Sequence, residues 1–144
     1  MLKIRWLMLL FGIAVLFPAI LREEIKYAAV AFIIGILYGL LIDLVGVKVM
    51  RLWKYTGQQK QYFMITVPCW GTFSMAINLV WNWIGEPWLA FIAIIVGLFV
   101  FLELPNLKTR SWTYNAPMWL VGIGWIPLIL SFRVLYNIVV CGIK

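Results

Sequence analysis

Two acidic residues, Asp43 and Glu103, are the side chains of this sequence best suited to chemistry, because each lies at the end of a long apolar run. A carboxylate in such surroundings costs on the order of 1–3 kcal/mol unless it is paired, solvated or protonated. Two carboxyls that face one cavity repel each other when both are ionised, which leaves a proton donor beside a proton acceptor. The pair therefore suits acid–base catalysis. Alternatively, each carboxylate only pins its own loop through ion pairs with nearby bases, which are Lys48 and Arg51 for the first acid and Lys108 and Arg110 for the second.

Each of these acids is followed by the pattern Trp-x-Tyr. Electron-rich ring faces stabilise a nearby cation by about 0.5–2 kcal/mol each, so these rings are suited to a pocket in which positive charge develops. Aromatic side chains also collect at the membrane surface, and the nine tryptophans of this chain make such a belt expected. Both interpretations apply to the four rings, which are those of Trp53, Tyr55, Trp112 and Tyr114.

The sequence has no histidine, and its two cysteines, Cys69 and Cys141, lie far apart. The missing histidine excludes the histidine-based nucleophile systems and histidine-ligated zinc or haem. The cysteine spacing excludes a Cys-x-x-Cys metal site. We therefore expect neither a metal nor an organic cofactor.

The acids and rings must be positioned by membrane helices. Of the 144 residues, 65% are hydrophobic and 12% are charged, with a mean hydropathy of +1.02, a balance that a water-soluble domain of this size cannot bury. Five apolar stretches are each close to the roughly 20 residues that cross a bilayer core. They predict an all-α integral membrane protein with five transmembrane helices, at about residues 4–20, 27–46, 61–84, 87–104 and 117–140.

The basic residues predict the orientation of these helices. Eight of the 12 lysines and arginines fall on the side of the N-terminus and of the loops at 47–60 and 105–116, and three fall on the other side. By the positive-inside rule the N-terminus is then cytoplasmic and the C-terminus is outside, and we expect a prokaryotic cytoplasmic membrane. The first helix is expected to be retained, although its basic start also fits a signal peptide. The twelfth base, Arg133, lies within the last span and must reach the surface or find a partner.

An internal repeat accounts for the similar surroundings of the two acids. Hydrophobic residues align by chance in an apolar sequence, but Arg, Trp, Tyr, Pro and Asn do not readily align in the same order. At an offset of 60 residues Asp43 meets Glu103 and Lys48 meets Lys108; at an offset of 59, Arg51, Trp53, Tyr55, Pro68 and Asn78 meet Arg110, Trp112, Tyr114, Pro127 and Asn137.

The repeat predicts an N-terminal helix and loop over residues 1–26, followed by two parallel helical hairpins at 27–84 and 85–144, within one transmembrane domain. Parallel repeats are related by an axis along the membrane normal, which brings equivalent positions together. Asp43 with Glu103 and Trp53 with Trp112 are then expected to form layered pairs. Asn78 and Asn137 form a third such pair, and with the four rings they complete the predicted substrate-binding set.

The stretch GLLIDLVGVKVMRLWKY, echoed in ELPNLKTRSWTY, is similar to a pattern of carotenoid-biosynthesis membrane proteins, the lycopene-cyclase-like and carotenoid-hydratase-like group. The likeness covers roughly residues 35–70 and 97–127. In that group, carboxylates act on the polyene of a long isoprenoid through protonation and a carbocation, without a redox cofactor. The resemblance implies that Asp43 and Glu103 act as acid or base and that the four rings line the pocket. The Pro-x-Glu-Glu-type motif of the cyclases is not reproduced.

Three functions are compatible with these features. The first is an enzyme that acts on an isoprenoid or related lipid by carboxylate acid–base chemistry. The second is a small accessory or scaffold subunit, since the loops are short. The third is a small-solute transporter, since the repeats are parallel and carry paired prolines and asparagines. The expected partners are the lipid bilayer, an isoprenoid lipid, and either a second copy or a larger membrane complex, but not nucleic acid.

Overall fold

The computed structural model describes the backbone of residues 2–56, 59–110 and 112–143, and the side chains of residues 10–56, 68–110 and 112–142. Over these residues the chain is helical except for two short strands and their turns, which confirms the all-α class. The elements are α1 (Leu2–Leu21), α2 (Ile25–Asp43), a first π-helix (Leu44–Val49), β1 (Trp53–Tyr55), α3 (Gln59–Ile84), α4 (Pro87–Leu98), a second π-helix (Phe99–Glu103), α5 (Leu104–Thr109), β2 (Trp112–Tyr114) and α6 (Met118–Ile143).

Three helical stretches are long and apolar enough to cross a membrane: Ile25–Val49, Pro87–Thr109 and Met118–Gly142. Their outward faces carry large exposed hydrophobic side chains, among them Leu37, Trp88 and Trp119. Such surfaces suit lipid rather than water, so the chain is an integral membrane protein. The predicted spans at 4–20 and 61–84 fall on α1 and α3, and within α1 the stretch Leu10–Leu21 is a shorter apolar helix.

Helix α3 is the centre of the bundle. Every residue from Trp70 to Leu79 is buried, and the helix packs against α1, α2, α4 and α6. Its buried face carries aromatic rings, because Trp70 and Phe73 pack with Phe132 of α6 in one cluster. Helix α3 therefore provides the packed centre against which α2 and α6 are positioned.

Two glycines on α2 allow its close approach to α3, as the small-xxx-small spacing of Gly35 and Gly39 suggests. A Cβ atom added at Gly35 would overlap the backbone carbonyl of Trp70, and one added at Gly39 would overlap the Trp70 ring. Backbone atoms cannot move away as a flexible side chain can, so the first position tolerates no larger residue without a shift of the helices.

Replacing Gly35 with Ala is expected to lower the free energy of unfolding by about 1–3 kcal/mol, because α2 must move away from α3. The matched control is Gly122→Ala on α6, where no described atom lies within 4 Å of the added Cβ. That variant should be neutral or slightly more stable, since Ala is the better helix former. Reversible unfolding of both variants in mixed micelles with increasing dodecyl sulfate measures the difference, and equal stability would contradict the close packing.

Strands β1 and β2 form a two-stranded antiparallel sheet at one end of the bundle. Lys54 stands opposite Thr113, which places Trp53 opposite Tyr114 and Tyr55 opposite Trp112. The chain enters both strands through an arginine-containing turn. Arg51 has a φ of 53° and Arg110 a φ of 48°, both in the left-handed region that side chains rarely adopt. The two turns therefore share an uncommon backbone conformation just before each strand.

Candidate functional site

Asp43 is the last residue of α2, and its side chain is fully buried. The Tyr55 hydroxyl of β1 donates a hydrogen bond to Oδ1 at 2.8 Å, and the Trp70 indole N–H of α3 donates one to Oδ2 at 2.8 Å. Each carboxylate oxygen thus accepts a bond from an aromatic side chain. Asp43 therefore links the end of α2 to β1 and to the central helix α3.

Glu103 has the same kinds of partner in the second half of the chain. It ends the second π-helix and is buried. The Tyr114 hydroxyl of β2 and the Trp125 indole N–H of α6 both donate to Oε1, at 2.6 and 3.2 Å. The other oxygen, Oε2, has no hydrogen-bond partner among the described residues. Neutral aromatic donors, rather than the bases of its own loop, therefore hold this acid in place.

A π-helix lies beside each acid. Its turn is wider than that of an α-helix, so it changes the direction of the chain that follows. The Met50 N–H bonds to the Val45 carbonyl, five residues back, and the Leu104 N–H bonds to the Phe99 carbonyl in the same way. Short π-helical turns are frequent at functional sites. In the first of them, a Cβ atom added at Gly46 would overlap the Trp53 ring, so a glycine is required for this ring to pack.

The aromatic partners of the acids line an apolar cavity of about 650 Å³. Its walls come from α2, α3 and α6, and the two strands cover one end. The rim is apolar and exposed, and is formed on one side by Leu41 and Met50 and on the other by Leu120 and Ile123. The cavity therefore opens sideways between α2 and α6. Six aromatic residues of the site line it: Trp53, Tyr55, Trp70, Trp112, Tyr114 and Trp125.

The two carboxyl groups lie behind this wall, because the described residues that line the cavity do not include Asp43 or Glu103. The hydroxyls of Tyr55 and Tyr114 stand between them and the cavity. The structure places the predicted acids and rings in a definite order, with the rings at the cavity and the acids behind them. A ligand in the cavity meets the phenols first.

Burial raises the pKa of the Tyr114 phenol above its ordinary value, and the Glu103 carboxyl raises it further. The phenol therefore keeps its proton at physiological pH. The Trp112 indole N–H donates to the Tyr114 oxygen at 2.9 Å, so the phenol oxygen accepts one bond while its proton points to Oε1 of Glu103. This chain of three side chains fixes the orientation of the hydroxyl at the cavity wall.

The predicted asparagine pair is not brought together at the site. Asn78 is buried in α3, where its amide donates to the Ser74 carbonyl at 2.9 Å, whereas Asn137 is exposed on α6. Among the described residues, neither asparagine lines the cavity. The predicted ring pairing also differs in detail, since each tryptophan stands opposite a tyrosine of the other strand.

Sequence reasoning missed Trp70 and Trp125, the indole donors to the two acids. Trp70 and Trp125 are 55 residues apart, whereas the repeated residues from Arg51 to Asn78 match their equivalents at an offset of 59. The difference of four residues is about one helical turn, which leaves a side chain on the same helix face. A search for identical residues at one fixed offset cannot find such a pair, but a search that allows a shift of one turn can.

Fold and site together define a helical membrane protein with two buried acids behind an aromatic, laterally open cavity. No protein-family model matches this chain, and no curated protein or solved structure is significantly similar to it.

Proposed function

We propose that this protein binds the apolar chain of an isoprenoid or related lipid in the lateral cavity and acts on it by carboxylate acid–base chemistry. The observation that carries the proposal is the placement of two buried acids, each hydrogen-bonded to a phenol of the cavity wall. Acids cost free energy when they are buried in a membrane protein, and they are functional candidates by default.

The cavity suits an apolar ligand that arrives from the bilayer. Its volume of about 650 Å³ lies in the range of small-molecule sites, and its rim is formed by lipid-compatible side chains. Its polar groups are few and come mainly from the phenols and indoles. A long hydrocarbon chain with double bonds fits such a site, because the ring faces attract positive charge that develops on it.

The proposed reaction begins when the protein adds a proton to the substrate, and it ends when a proton returns to the protein. The hydroxyl of one phenol turns from its acid to the substrate and gives its proton to a carbon of a double bond, and the neighbouring carbon becomes a cation. The protonated carboxyl group of that acid replaces the proton on the phenol oxygen. The cation then loses a proton to the oxygen of the second phenol, which passes its own proton to the second carboxylate, and an isomer of the substrate forms. Alternatively, a water molecule adds to the cation and gives its extra proton to the second carboxylate, which leaves an alcohol. Both products form without net oxidation or reduction of the substrate, so no redox cofactor is needed. This agrees with the resemblance to carotenoid-biosynthesis membrane proteins.

The duplicated architecture is part of the same proposal: five spans, with the second and third repeated as the fourth and fifth, and the N-terminus in the cytoplasm. Four features occur in both halves and support it. The acid accepts a bond from a Tyr of the next strand and from a Trp of the helix after that strand, a π-helix adjoins the acid, and an arginine with positive φ precedes the strand. Lys54 and Thr113, which face each other in the sheet, are equivalent positions at the offset of 59. An axis between them relates one strand to the other.

Identification of the bound lipid tests the binding half of this proposal. The protein is purified in a mild detergent, and its extract is compared by mass spectrometry with that of an Ile123→Trp variant, which narrows the cavity mouth. An isoprenoid or polyene that is enriched in the wild type and depleted in the variant supports the proposal. Bulk phospholipid alone in both extracts contradicts it. An Ile138→Trp variant is the matched control, because Ile138 is exposed on α6 and is not among the residues that line the cavity in the described part of the chain.

A second function, as an accessory or scaffold subunit, is favoured by one observation: both acids lie behind the cavity wall and tie a strand to the helices. In that case the acids act only as structural links. The subunit then co-purifies with a larger complex under mild conditions, and its extract contains no specific lipid.

A further inference from the structure

Arg133 lies just past the middle of α6, in the half of the helix that is remote from the strands. It is fifteen residues beyond the start of α6 at Met118, which places its Cα about 22 Å along the helix axis. A bilayer core is about 30 Å thick. With the start of α6 at the membrane surface on the strand side, a long arginine side chain at this depth extends to the headgroups of the opposite face.

The surroundings of its guanidinium group are aromatic. The Cζ atom lies 5.6 Å from the ring centre of Trp81 on α3 and 5.6 Å from that of Tyr136 on its own helix. Both rings are held by other contacts, since Trp81 packs edge-on against Phe91 and Tyr136 hydrogen-bonds with Asn82. Two ring faces therefore orient the guanidinium group and shield part of it from water.

The hydrogen-bonding capacity of this group is largely unused within the chain. A guanidinium has five N–H donors. The one bond that Arg133 makes to a described residue is a long one, 3.4 Å from Nη1 to the backbone carbonyl of Asn78. No described carboxylate forms an ion pair with it, and one of the acids of this face, Glu24, accepts a bond from Trp83 at 2.6 Å instead. A half-buried cation is thus oriented by rings but left without an anion.

We propose that Arg133 binds the phosphate group of an anionic membrane lipid at the face opposite the strands. The planar guanidinium fork matches the oxygens of a phosphate, and such charge-assisted bonds are the strong ones. Trp81 and Tyr136 form the sides of the site and set the direction of the fork. The site is separate from the lateral cavity, so it does not depend on the reaction proposed above.

The test measures how lipids change the melting temperature of the purified protein in detergent. Phosphatidylglycerol, phosphatidylcholine and inorganic phosphate are added separately to the wild type and to Arg133→Gln. Arg22→Gln is the matched control, because Arg22 also lies against a tryptophan, 5.4 Å from the Trp83 ring centre, but is exposed. A third variant, Arg133→Lys, keeps the charge and removes the fork.

The expected result is a larger stabilisation by phosphatidylglycerol than by phosphatidylcholine in the wild type and in Arg22→Gln. Arg133→Gln should lose this preference, and its apparent affinity for phosphatidylglycerol should fall about tenfold or more, with a smaller loss in Arg133→Lys. Equal effects of the two lipids on the wild type would overturn the proposal, and this outcome requires no variant to fold. A preference that persists in Arg133→Gln would also overturn it. A shift of the same size with inorganic phosphate would overturn the assignment to a lipid.

Discussion

Replacing Glu103 with Gln is expected to lower turnover of the bound lipid by about 100- to 10,000-fold, the usual contribution of a positioned acid or base. Glutamine keeps the oxygen that accepts both bonds, because Tyr114 and Trp125 donate to the same atom, Oε1. The added amide nitrogen replaces Oε2, which has no partner among the described residues. The variant therefore loses the proton-carrying group but keeps the contacts that hold the site together.

The measurement is the rate of product formation from the lipid that co-purifies with the wild type, after reconstitution into phosphatidylcholine vesicles. Asp43→Asn should show a loss of the same order, because asparagine cannot carry a carboxyl proton. Glu86→Gln is the matched control and should keep full turnover, since Glu86 is exposed at the start of α4. Undiminished turnover in an Asp43→Asn, Glu103→Gln double variant would refute the catalytic role of both acids.

Replacing Asp43 with Ala is expected to lower the free energy of unfolding by about 2–4 kcal/mol. The Trp70 indole can only donate, and with the acceptor removed its buried N–H has no partner, which costs about 1–3 kcal/mol. Loss of the Tyr55 bond and of packed volume adds to this. The effect is large because one side chain joins α2, β1 and α3.

Asp43→Asn is the matched control for this loss of stability. Its carbonyl oxygen can accept from Trp70, and its amide can donate to the Tyr55 oxygen, because a phenol oxygen accepts hydrogen bonds as well as donating one. We expect it to unfold close to the wild type in mixed micelles with dodecyl sulfate. If the Ala variant is as stable as the Asn variant, the buried acid does not link these elements. The pair of variants thus separates the structural role of Asp43 from its chemistry.

The helical membrane class, the two acids and the aromatic residues that follow them could be read from local sequence. Long apolar runs predict helices because backbone groups in lipid must be satisfied within the segment. The acids and the Trp-x-Tyr patterns stand out since polar and aromatic residues are conspicuous at the ends of such runs. The bonds from Tyr55 and Tyr114 also join residues that are close along the chain. The partners are twelve and eleven positions apart.

Only the tertiary structure shows which side chains complete the site and which face the cavity. The Trp70 and Trp125 donors are 27 and 22 positions away from their acids and lie on other helices, so their role depends on how the helices rotate and approach. Hydropathy does not determine that rotation, because these helices are apolar on most of their surface. Packing decides it: Gly39 lets α2 approach Trp70, and the cavity forms between α2, α3 and α6. The sequence by itself therefore determined that this is a helical membrane protein with two acids beside aromatic pairs, while helix packing decided that those acids stand behind phenols at a lateral cavity.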